Sequence, residues 1–292
     1  MYGSHRCPHG RAWPRRFLYH EGRLICATLG GALSRKVVTE RRDRAFVVAI
    51  NRPEVRNCVD GETAGLMFEA VEEFKRDDGL DVLILTGSGT EAFCSGADLK
   101  NIGSLGARPG ARESGPMGIS RITDVQKPVI GAVEGYCTAG GLELACWCDF
   151  RVASTSAQFG VLNRRWGVPL VDGGTQRLPR IVGLANALYL IETGALIDAS
   201  HALRIGLVQE LVATGKALER ALEIARIMST YPQGAIRNDR RAALEGLTLP
   251  LAEGLAHEAD VHRDTARDPT MAEWLARFAK GERPQSIRPP EL

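Results

Sequence analysis

The stretch that decides the fold is PVIGAVEGYCTAGGLELACWCDFRVA, residues 128–153. It opens with the short apolar run 128–133, which is typical of a strand buried in a sheet that is covered on both faces. Small residues follow, then an apolar segment of helical character, and residues 150–153 indicate another strand. This alternation of strand, helix and strand predicts an α/β fold.

A second segment, FCSGADLK at residues 93–100, repeats this design after the apolar run 81–86. In both places a buried strand is expected to end in small residues where a helix begins. The first N–H groups of a helix lack partners within the helix and lie at the positive end of its dipole. One glycine-containing turn of this kind is common for packing alone. Two of them, donating to a single oxygen, predict an oxyanion hole.

The rest of the chain adds regular elements around these two turns. Residues 37–41 and 45–51 predict a β-hairpin, and Asp60 is placed to cap a helix that ends near residue 77. Residues 103–118 contain five glycines and indicate a loop, which lies either near a ligand entrance or simply at the surface. After Gly173 the pattern is mostly helical, through to about residue 280.

The predicted organisation is a leader at 1–36, an α/β core at 37–195 and a C-terminal helical subdomain at 196–292. The leader holds seven basic residues and one acid, Glu21, so the rest of the chain has a net charge of −4. An acidic body argues against nucleic-acid binding. The basic leader is interpreted as a disordered extension or the product of an upstream start codon, and an organelle transit segment is the alternative.

Cysteine usage and hydropathy bear on location and on metals. The seven cysteines are scattered and odd in number, which suits a reducing compartment and predicts a cytoplasmic protein. No apolar run approaches the roughly 18 residues of a membrane span, so no membrane partner is expected. His5, Cys7 and His9 alternate as ligands do, but no fourth ligand is near, and no metal site is predicted.

The chain resembles the crotonase family (enoyl-CoA hydratase/isomerase) over about residues 37–284. The resemblance lies in FCSGADLK, KPVIGAVEGYCTAGGLELACWCDFRVAS, AQFG and GGTQRLPRIVG, in this order and spacing. It implies a crotonase-type ββα spiral core with a C-terminal helical trimerisation subdomain. It also implies an acyl-CoA substrate, no cofactor beyond the CoA of that substrate, and a homotrimer or dimer of trimers. Trp274, Leu275 and Phe278 are candidates for the subunit contact, with packing inside the chain as the alternative.

The resemblance also assigns site residues. Ala97 and Gly140 match the two oxyanion-hole positions, and the stretch Ala97, Asp98, Leu99 and Lys100 matches the acyl-CoA-contact segment. Glu143 matches the first of two acid–base glutamates. Glu143 lies three residues after Gly140 on the same predicted helix, so its carboxylate shares a face with that N–H. Its apolar neighbours predict a raised pKa and proton exchange with substrate or water.

The second glutamate is absent, because Asn163 occupies its position four residues after the Phe-Gly of AQFG. An asparagine can hold a water or a carbonyl but cannot deliver a proton. Either Glu143 acts alone in a concerted ring or another acid helps. The candidate is Asp172, which has the alternative interpretation of a helix N-cap that accepts from Gly174 or Thr175.

The sequence therefore predicts an enoyl-CoA hydratase-like lyase that stabilises an enolate in the oxyanion hole. The catalytic candidates are Glu143, Ala97, Gly140, Asn163 and Asp172. Because of Asn163, two alternatives remain open. One is another crotonase-type reaction, namely decarboxylation, thioester hydrolysis or isomerisation, and the other is a weakened member that only binds acyl-CoA. Acyl chain length and pathway have no signal in the sequence.

Overall fold

The structure, a computed structural model, describes residues 18–20, 23–25, 35–266 and 269–290. The chain divides into two units, residues 1–34 and residues 35–292. In the first unit, strands β1 (Leu18–His20) and β2 (Arg23–Ile25) pair antiparallel. The possible metal ligands of the leader lie outside the described residues, as does most of the segment predicted to be disordered, and that disorder stays a prediction. The predicted division of the second unit at residue 195, into a core and a C-terminal helical subdomain, also stays a prediction.

The larger sheet of the second unit has six strands in the order β12-β9-β7-β5-β4-β3. Only the β3–β4 hairpin is antiparallel among these pairs. The predicted hairpin and the three predicted buried strands are therefore confirmed. The strands are β3 (Val37–Arg42), β4 (Ala45–Ile50), β5 (Val82–Gly87), β7 (Val129–Val133), β9 (Phe150–Ser154) and β12 (Glu210–Val212).

A smaller sheet lies next to the two glycine-containing turns and was not predicted. Its four strands have three residues each, too few to show an alternating pattern. In the order β11-β10-β8-β6, all neighbours are parallel except β10 and β11. The strands are β6 (Ala92–Cys94), β8 (Tyr136–Thr138), β10 (Gln158–Gly160) and β11 (Leu196–Asp198).

The helices follow the predicted order closely. Asp60 caps the first of them, its Oδ1 accepting from the N–H of Thr63 at 2.9 Å. The glycine-rich segment 103–118, predicted as a loop, contains most of one short helix and all of another. The helices are α1 (Gly61–Arg76), α2 (Ile102–Ala107), α3 (Ala111–Ser114), α4 (Gly140–Trp147), α5 (Gly174–Val182), α6 (Leu184–Thr193), α7 (Ala199–Arg204), α8 (Ala217–Met228), α9 (Gln233–Gly246), α10 (Leu251–Ala266) and α11 (Pro269–Ala279).

The six-stranded sheet is covered on both faces, as its apolar strands require. On one face, Val47, Ile84 and Ile130 pack against α8. On the other, Val48 and Leu85 belong to the larger cluster that includes α1 and α4. The helix that begins at Gly140 is thus fixed against the main core. Among the helices described, none is long and apolar enough to cross a bilayer.

Candidate active site

A cavity of about 1040 Å³ lies at the two glycine-containing turns. Ala97, Gly140, Glu143, Asn163 and Asp172 all line it. These residues come from positions up to 75 apart in the sequence, and the parallel strands of the smaller sheet bring them to one edge. The structure therefore places all five catalytic candidates around a single site.

The backbones of the two turns are in direct contact. A Cβ atom on Gly96 would lie 2.9 Å from the nitrogen of Gly140, and Gly96 has a φ of +94°, so only glycine suits this position. Ala139 also has a positive φ, 53°, and its N–H donates to the carbonyl of Gly160 at 2.9 Å. That bond holds the residue before Gly140 in a strained conformation, which is common at functional sites.

The two predicted oxyanion donors have no acceptor within the described part of the chain. No backbone or side-chain oxygen there receives the N–H of Ala97 or of Gly140. Ala97 pairs with Val59 in a parallel bridge, but the bonds of that bridge involve the carbonyl of Gly96 and the N–H of Asp98 instead. Both amides border the cavity and can donate to a bound oxygen.

The first turn is built differently from the prediction. The sequence predicts a helix that begins directly at the small residues of FCSGADLK, but no α-helix begins there. A single 3₁₀ turn, Leu99–Asn101, precedes α2. Asp98 caps that turn by accepting from the N–H of Lys100 at 3.2 Å, and its other oxygen accepts from Arg52 at 2.9 Å. The Asp98 side chain therefore holds the turn and does not line the cavity, whereas Leu99 and Lys100 do. Their predicted contacts with substrate stay predictions.

Glu143 is 3% exposed, and backbone amides hold its carboxylate in place. Its Oε1 accepts from the N–H of Asp172 at 2.9 Å and from that of Gly174 at 2.8 Å. The pKa of Glu143 is raised to about 7, chiefly by burial and also by the nearby charge of Asp172, while the amide bonds oppose the shift. The raised pKa predicted from the apolar neighbours is confirmed. At neutral pH this group can both accept and donate a proton.

Asp172 does not cap the following helix, so that interpretation is wrong. Gly173 is the N-cap of α5, and it has no side-chain cap. The Oδ1 of Asp172 instead accepts from the N–H of Met117 at 3.0 Å and from the hydroxyl of Ser120. Burial raises the pKa of Asp172. The carboxylate thus ties the segment around Met117 to the loop that holds Glu143, and its role as a second acid stays a prediction.

Asn163 is 9% exposed and lies on the 3₁₀ segment Leu162–Trp166. Its Nδ2 donates to the carbonyl of Val168 at 2.8 Å. Its Oδ1 is buried and has no hydrogen-bond partner among the described residues. From the sequence it follows that an asparagine at this position cannot transfer a proton. The sequence did not indicate that its side-chain oxygen is buried without a donor among the described residues.

Met117 is a site residue that the sequence analysis missed. Its sulfur would lie 3.0 Å from a Cβ atom placed on Gly140, and the side chain is 1% exposed. It therefore packs over the turn that presents one of the oxyanion amides. The signal was an apolar residue between Gly115 and Gly118 in a polar stretch, which is unusual for a surface loop.

The rim of the cavity is apolar with a few cations. Leu99, Ile102 and Trp166 line it and are 50%, 46% and 74% exposed. Arg165 also lines the cavity and donates to the carbonyl of Gly194 at 3.0 Å. Arg164, its neighbour in the sequence, donates instead to the carbonyl of Ile191 at 3.2 Å. An elongated ligand with an anionic end fits an apolar rim with cations beside it.

Replacing Gly174 with Ala is expected to lower kcat/KM for the predicted hydration by about 10- to 100-fold, because small displacements of a catalytic group slow a reaction strongly. The added Cβ would lie 2.9 Å from Cγ and 3.0 Å from Oε1 of Glu143, so the carboxylate must move. The displaced carboxylate should also lose its hydrogen bond from the N–H of residue 174. Because that bond lowers the pKa of Glu143, its loss should shift the pH profile of kcat/KM upward. Steady-state kinetics against pH measure both effects.

Gly103→Ala is the matched control, since a Cβ at Gly103 meets no atom within 4 Å. It should leave both kcat/KM and the pH profile unchanged. Equal losses in the two variants would contradict the proposed contact between position 174 and the carboxylate.

Known proteins are similar to this chain over most of its length. Residues 40–285 match the family model described as enoyl-CoA hydratase/isomerase. The chain is 37% identical over 227 residues to the crotonyl-CoA hydratase of Syntrophomonas wolfei, which covers 77% of this chain and 87% of that protein. It is 36% identical over 228 residues to the short-chain-enoyl-CoA hydratase of Clostridium acetobutylicum, covering 77% of this chain and 87% of that protein.

Solved structures share the fold. The crystal structure of an enoyl-CoA hydratase from Mycobacterium marinum superposes with a TM-score of 0.81 at 31% sequence identity, covering 86% of this chain and 98% of that one. An enoyl-CoA hydratase from Mycobacterium tuberculosis gives the same TM-score, 0.81, at 31% identity, with 86% and 98% covered.

Proposed function

Because the chain belongs to the enoyl-CoA hydratase/isomerase family, we propose a specific substrate and mechanism for it. The chain has the predicted crotonase-type α/β fold and is an enoyl-CoA hydratase-like hydro-lyase that acts on an acyl-CoA thioester. The proposed substrate is a short-chain 2-enoyl-CoA such as crotonyl-CoA. Two relatives support this choice, one named as a crotonyl-CoA hydratase and the other as a short-chain-enoyl-CoA hydratase.

The mechanism rests on one observation. A single cavity is lined by a buried carboxylate and by two backbone amides for which the described residues provide no acceptor. In the proposal, the N–H groups of Ala97 and Gly140 bind the thioester oxygen. Negative charge develops on this oxygen when water adds to Cβ, and donors already in place stabilise it more than they stabilise the ground state. Such a donor is typically worth about 10²–10³ in kcat.

Glu143 is proposed to handle both protons. The water oxygen bonds to Cβ while the carboxylate takes a proton from the water, and the π electrons of the double bond move toward Cα and the thioester oxygen. The same carboxyl group then gives a proton to Cα, so it ends in its starting state. A pKa of about 7 suits a group that must do both. These proposed steps use only water, the substrate and groups of the protein, so the proposal includes no metal and no cofactor other than the CoA of the substrate.

The alternative reactions that Asn163 left open are not favoured, since the relatives named above are hydratases. A direct test is to follow loss of the conjugated-thioester absorbance when the purified chain is mixed with crotonyl-CoA. Absence of any loss above background, with turnover of a malonyl-type or 3-enoyl ester instead, would refute the proposal.

The pH dependence of kcat/KM for hydration should follow one ionisation near pH 7. Glu143 must be a carboxylate to accept the proton of water, and its pKa is raised to about 7. The rate should therefore fall about tenfold per pH unit below that point and level off above it. A second ionisation would indicate that Asp172 acts as the additional acid, and a flat profile from acidic to alkaline pH would exclude Glu143 as the base.

We also propose that the chain forms a homotrimer or dimer of trimers through its C-terminal helices. Leu247, which directly follows α9, is 63% exposed, and Leu251 and Leu255 of α10 are 79% and 56% exposed. Leu275 and Phe278 of α11 are 58% and 66% exposed. Trp274 is covered in part by Arg277 of the same helix, whose Cζ lies 4.1 Å from the centroid of the Trp274 ring. Sedimentation of the full chain as a monomer would contradict the proposal. A cytoplasmic location is likewise proposed, and cell fractionation tests it.

A further inference from the structure

Asp172 is a buried carboxyl group that the proposed mechanism does not use. It is 3% exposed, and its Oδ1 accepts from the N–H of Met117 at 3.0 Å and from the hydroxyl of Ser120. Burial favours the neutral form of a carboxyl group unless hydrogen bonds or nearby charges stabilise the anion. The donors to Oδ1 therefore decide whether Asp172 is charged.

The same residue also holds Glu143. The backbone N–H of Asp172 donates to Oε1 of Glu143 at 2.9 Å, and the Asp172 side chain branches from the next atom of that backbone. The two carboxyl groups are thus close neighbours in one buried site, where like charges oppose each other and the two ionisations are coupled. Burial and the charge of Asp172 raise the pKa of Glu143 to about 7.

Ser120 provides the donor that favours the charged form of Asp172. It is 1% exposed and does not line the cavity, so its hydroxyl meets the carboxylate and not the substrate. Gly115 leaves room for this contact, because a Cβ atom there would overlap the hydroxyl oxygen and lie 2.9 Å from Oδ1 of Asp172. Burial raises the pKa of Asp172, and the bond from Ser120 is the strongest effect that opposes the rise.

Other ionisable groups face the pair within the described part of the chain. Arg177 of α5 donates to the carbonyl of Asp172 at 3.3 Å, and Arg121 donates to the carbonyl of Val171 at 3.2 Å. Both cations favour a charged Asp172. Burial raises the pKa of Cys146 on α4 to about 11, so this thiol stays neutral near pH 7.

We propose that Ser120 is a positioning residue that acts through Asp172 and decides which of the two neighbouring carboxyl groups carries the proton. By donating to Oδ1, the hydroxyl keeps the negative charge on Asp172. The proton then stays on Glu143, the group that exchanges protons with the substrate. The inference rests on the proposed function for the use that Glu143 makes of this proton.

The test removes the hydroxyl and follows the ionisation of Glu143 in the full chain. In Ser120→Ala, Asp172 ionises less readily, so Glu143 loses its proton against a weaker opposing charge. The midpoint of the pH profile of kcat/KM for crotonyl-CoA should fall by about half a pH unit. Asp172→Asn removes the charge altogether, and the midpoint should fall by about one pH unit.

A purely structural role for Ser120 predicts the opposite shift. A loop loosened by loss of the hydroxyl would weaken the hydrogen bond from the N–H of Asp172 to Glu143. Because that bond lowers the pKa of Glu143, the midpoint would then rise. The direction of the shift therefore separates the two roles.

Two further variants serve as the rescue and the matched control. Ser120→Thr keeps a hydroxyl and should restore the original midpoint. Ser154→Ala also removes a buried hydroxyl, since Ser154 is 0% exposed and pairs with the hydroxyl of Ser156 at 2.9 Å. Ser154 does not line the cavity, so this variant should leave the midpoint unchanged.

Urea unfolding gives the same midpoint without turnover. The unfolding free energy of the chain is compared with that of its Glu143→Gln variant at a series of pH values and one protein concentration. The stabilisation that comes from protonated Glu143 is lost as pH rises through the folded-state pKa. When both chains also contain Ser120→Ala, this loss should occur at lower pH.

Three results would overturn the inference: a midpoint that Ser120→Ala leaves unchanged or raises, one that Asp172→Asn does not lower, or an equal fall in Ser154→Ala. A chain that hydrates crotonyl-CoA with a midpoint independent of Ser120 would contradict this inference alone. A chain that does not hydrate crotonyl-CoA, but whose unfolding shows the downward shift, would contradict the proposed function and leave the role of Ser120 in place.

Discussion

Replacing Glu143 with Gln should lower kcat for crotonyl-CoA hydration by about 10²- to 10⁴-fold, the usual contribution of a positioned acid–base group. Glutamine matches the shape of glutamate and can still accept from the amides of Asp172 and Gly174. It cannot exchange a proton. Binding of butyryl-CoA should change little, since the two oxyanion amides are untouched. Stopped-flow absorbance and calorimetry measure the two quantities.

The same substitution should stabilise the fold at neutral and alkaline pH. The folded-state pKa of Glu143 is about 7, above its usual 4.5, so the fold favours the protonated form. That contribution is complete below the unfolded pKa and is lost as pH rises through 7. Relative to Glu143→Gln, the original chain should therefore lose on the order of 2 kcal/mol of unfolding free energy across this range.

Urea unfolding at pH 5 and pH 8, at one protein concentration, tests that difference. Glu69→Gln, at an exposed position on α1, is the matched control. Because it keeps Glu143, its unfolding free energy should differ from that of the original chain by the same amount at both pH values. Undiminished hydration by Glu143→Gln would remove the proposed mechanism, whatever the stability data show.

Replacing Arg151 with Met should reduce the free energy of unfolding by about 2–4 kcal/mol. Arg151 is 2% exposed and lies in β9, an interior strand of the six-stranded sheet. Its guanidinium donates to the carbonyl oxygens of Ala145, Cys148 and Leu207 at 3.1, 3.0 and 2.6 Å. Methionine fills a similar volume but removes one donor from each of these buried oxygens, and among the described donors the Ala145 oxygen keeps only the N–H of Cys148. Two of them belong to the end of α4, the helix that contains Glu143.

Urea unfolding measures this loss, and Arg76→Met provides the comparison. The Arg76 side chain is 74% exposed and pairs only with Glu72 among the described residues, so its replacement should cost less than about 0.5 kcal/mol. Arg151→Lys keeps the charge but not the planar arrangement of donors, and it should recover little of the loss. Equal stability of Arg151→Met and Arg76→Met would show that water replaces the guanidinium without cost.

Much of the architecture followed from local patterns. The apolar runs 81–86 and 128–133 indicated strands covered on both faces, and the strands observed there are Val82–Gly87 and Val129–Val133. Asp60 marked the start of α1 because a cap and its helix are adjacent in sequence. Glu143 was assigned through the family resemblance, and its place one turn after Gly140 agrees with that assignment. The three-residue strands of the smaller sheet were not identifiable, because they are too short for any periodicity.

The sequence by itself determined the α/β class, the two turns with their amides, and the position of Glu143. Each of these depends on residues within a few positions of one another. Only the tertiary structure decided which hydrogen-bond partners Asp172, Asp98 and Asn163 have. Asp172 meets Met117 across 55 positions, and Asp98 meets Arg52 across 46. Such partners are set by how the strands pair, and a local pattern contains no information about a contact that forms only when distant segments fold together.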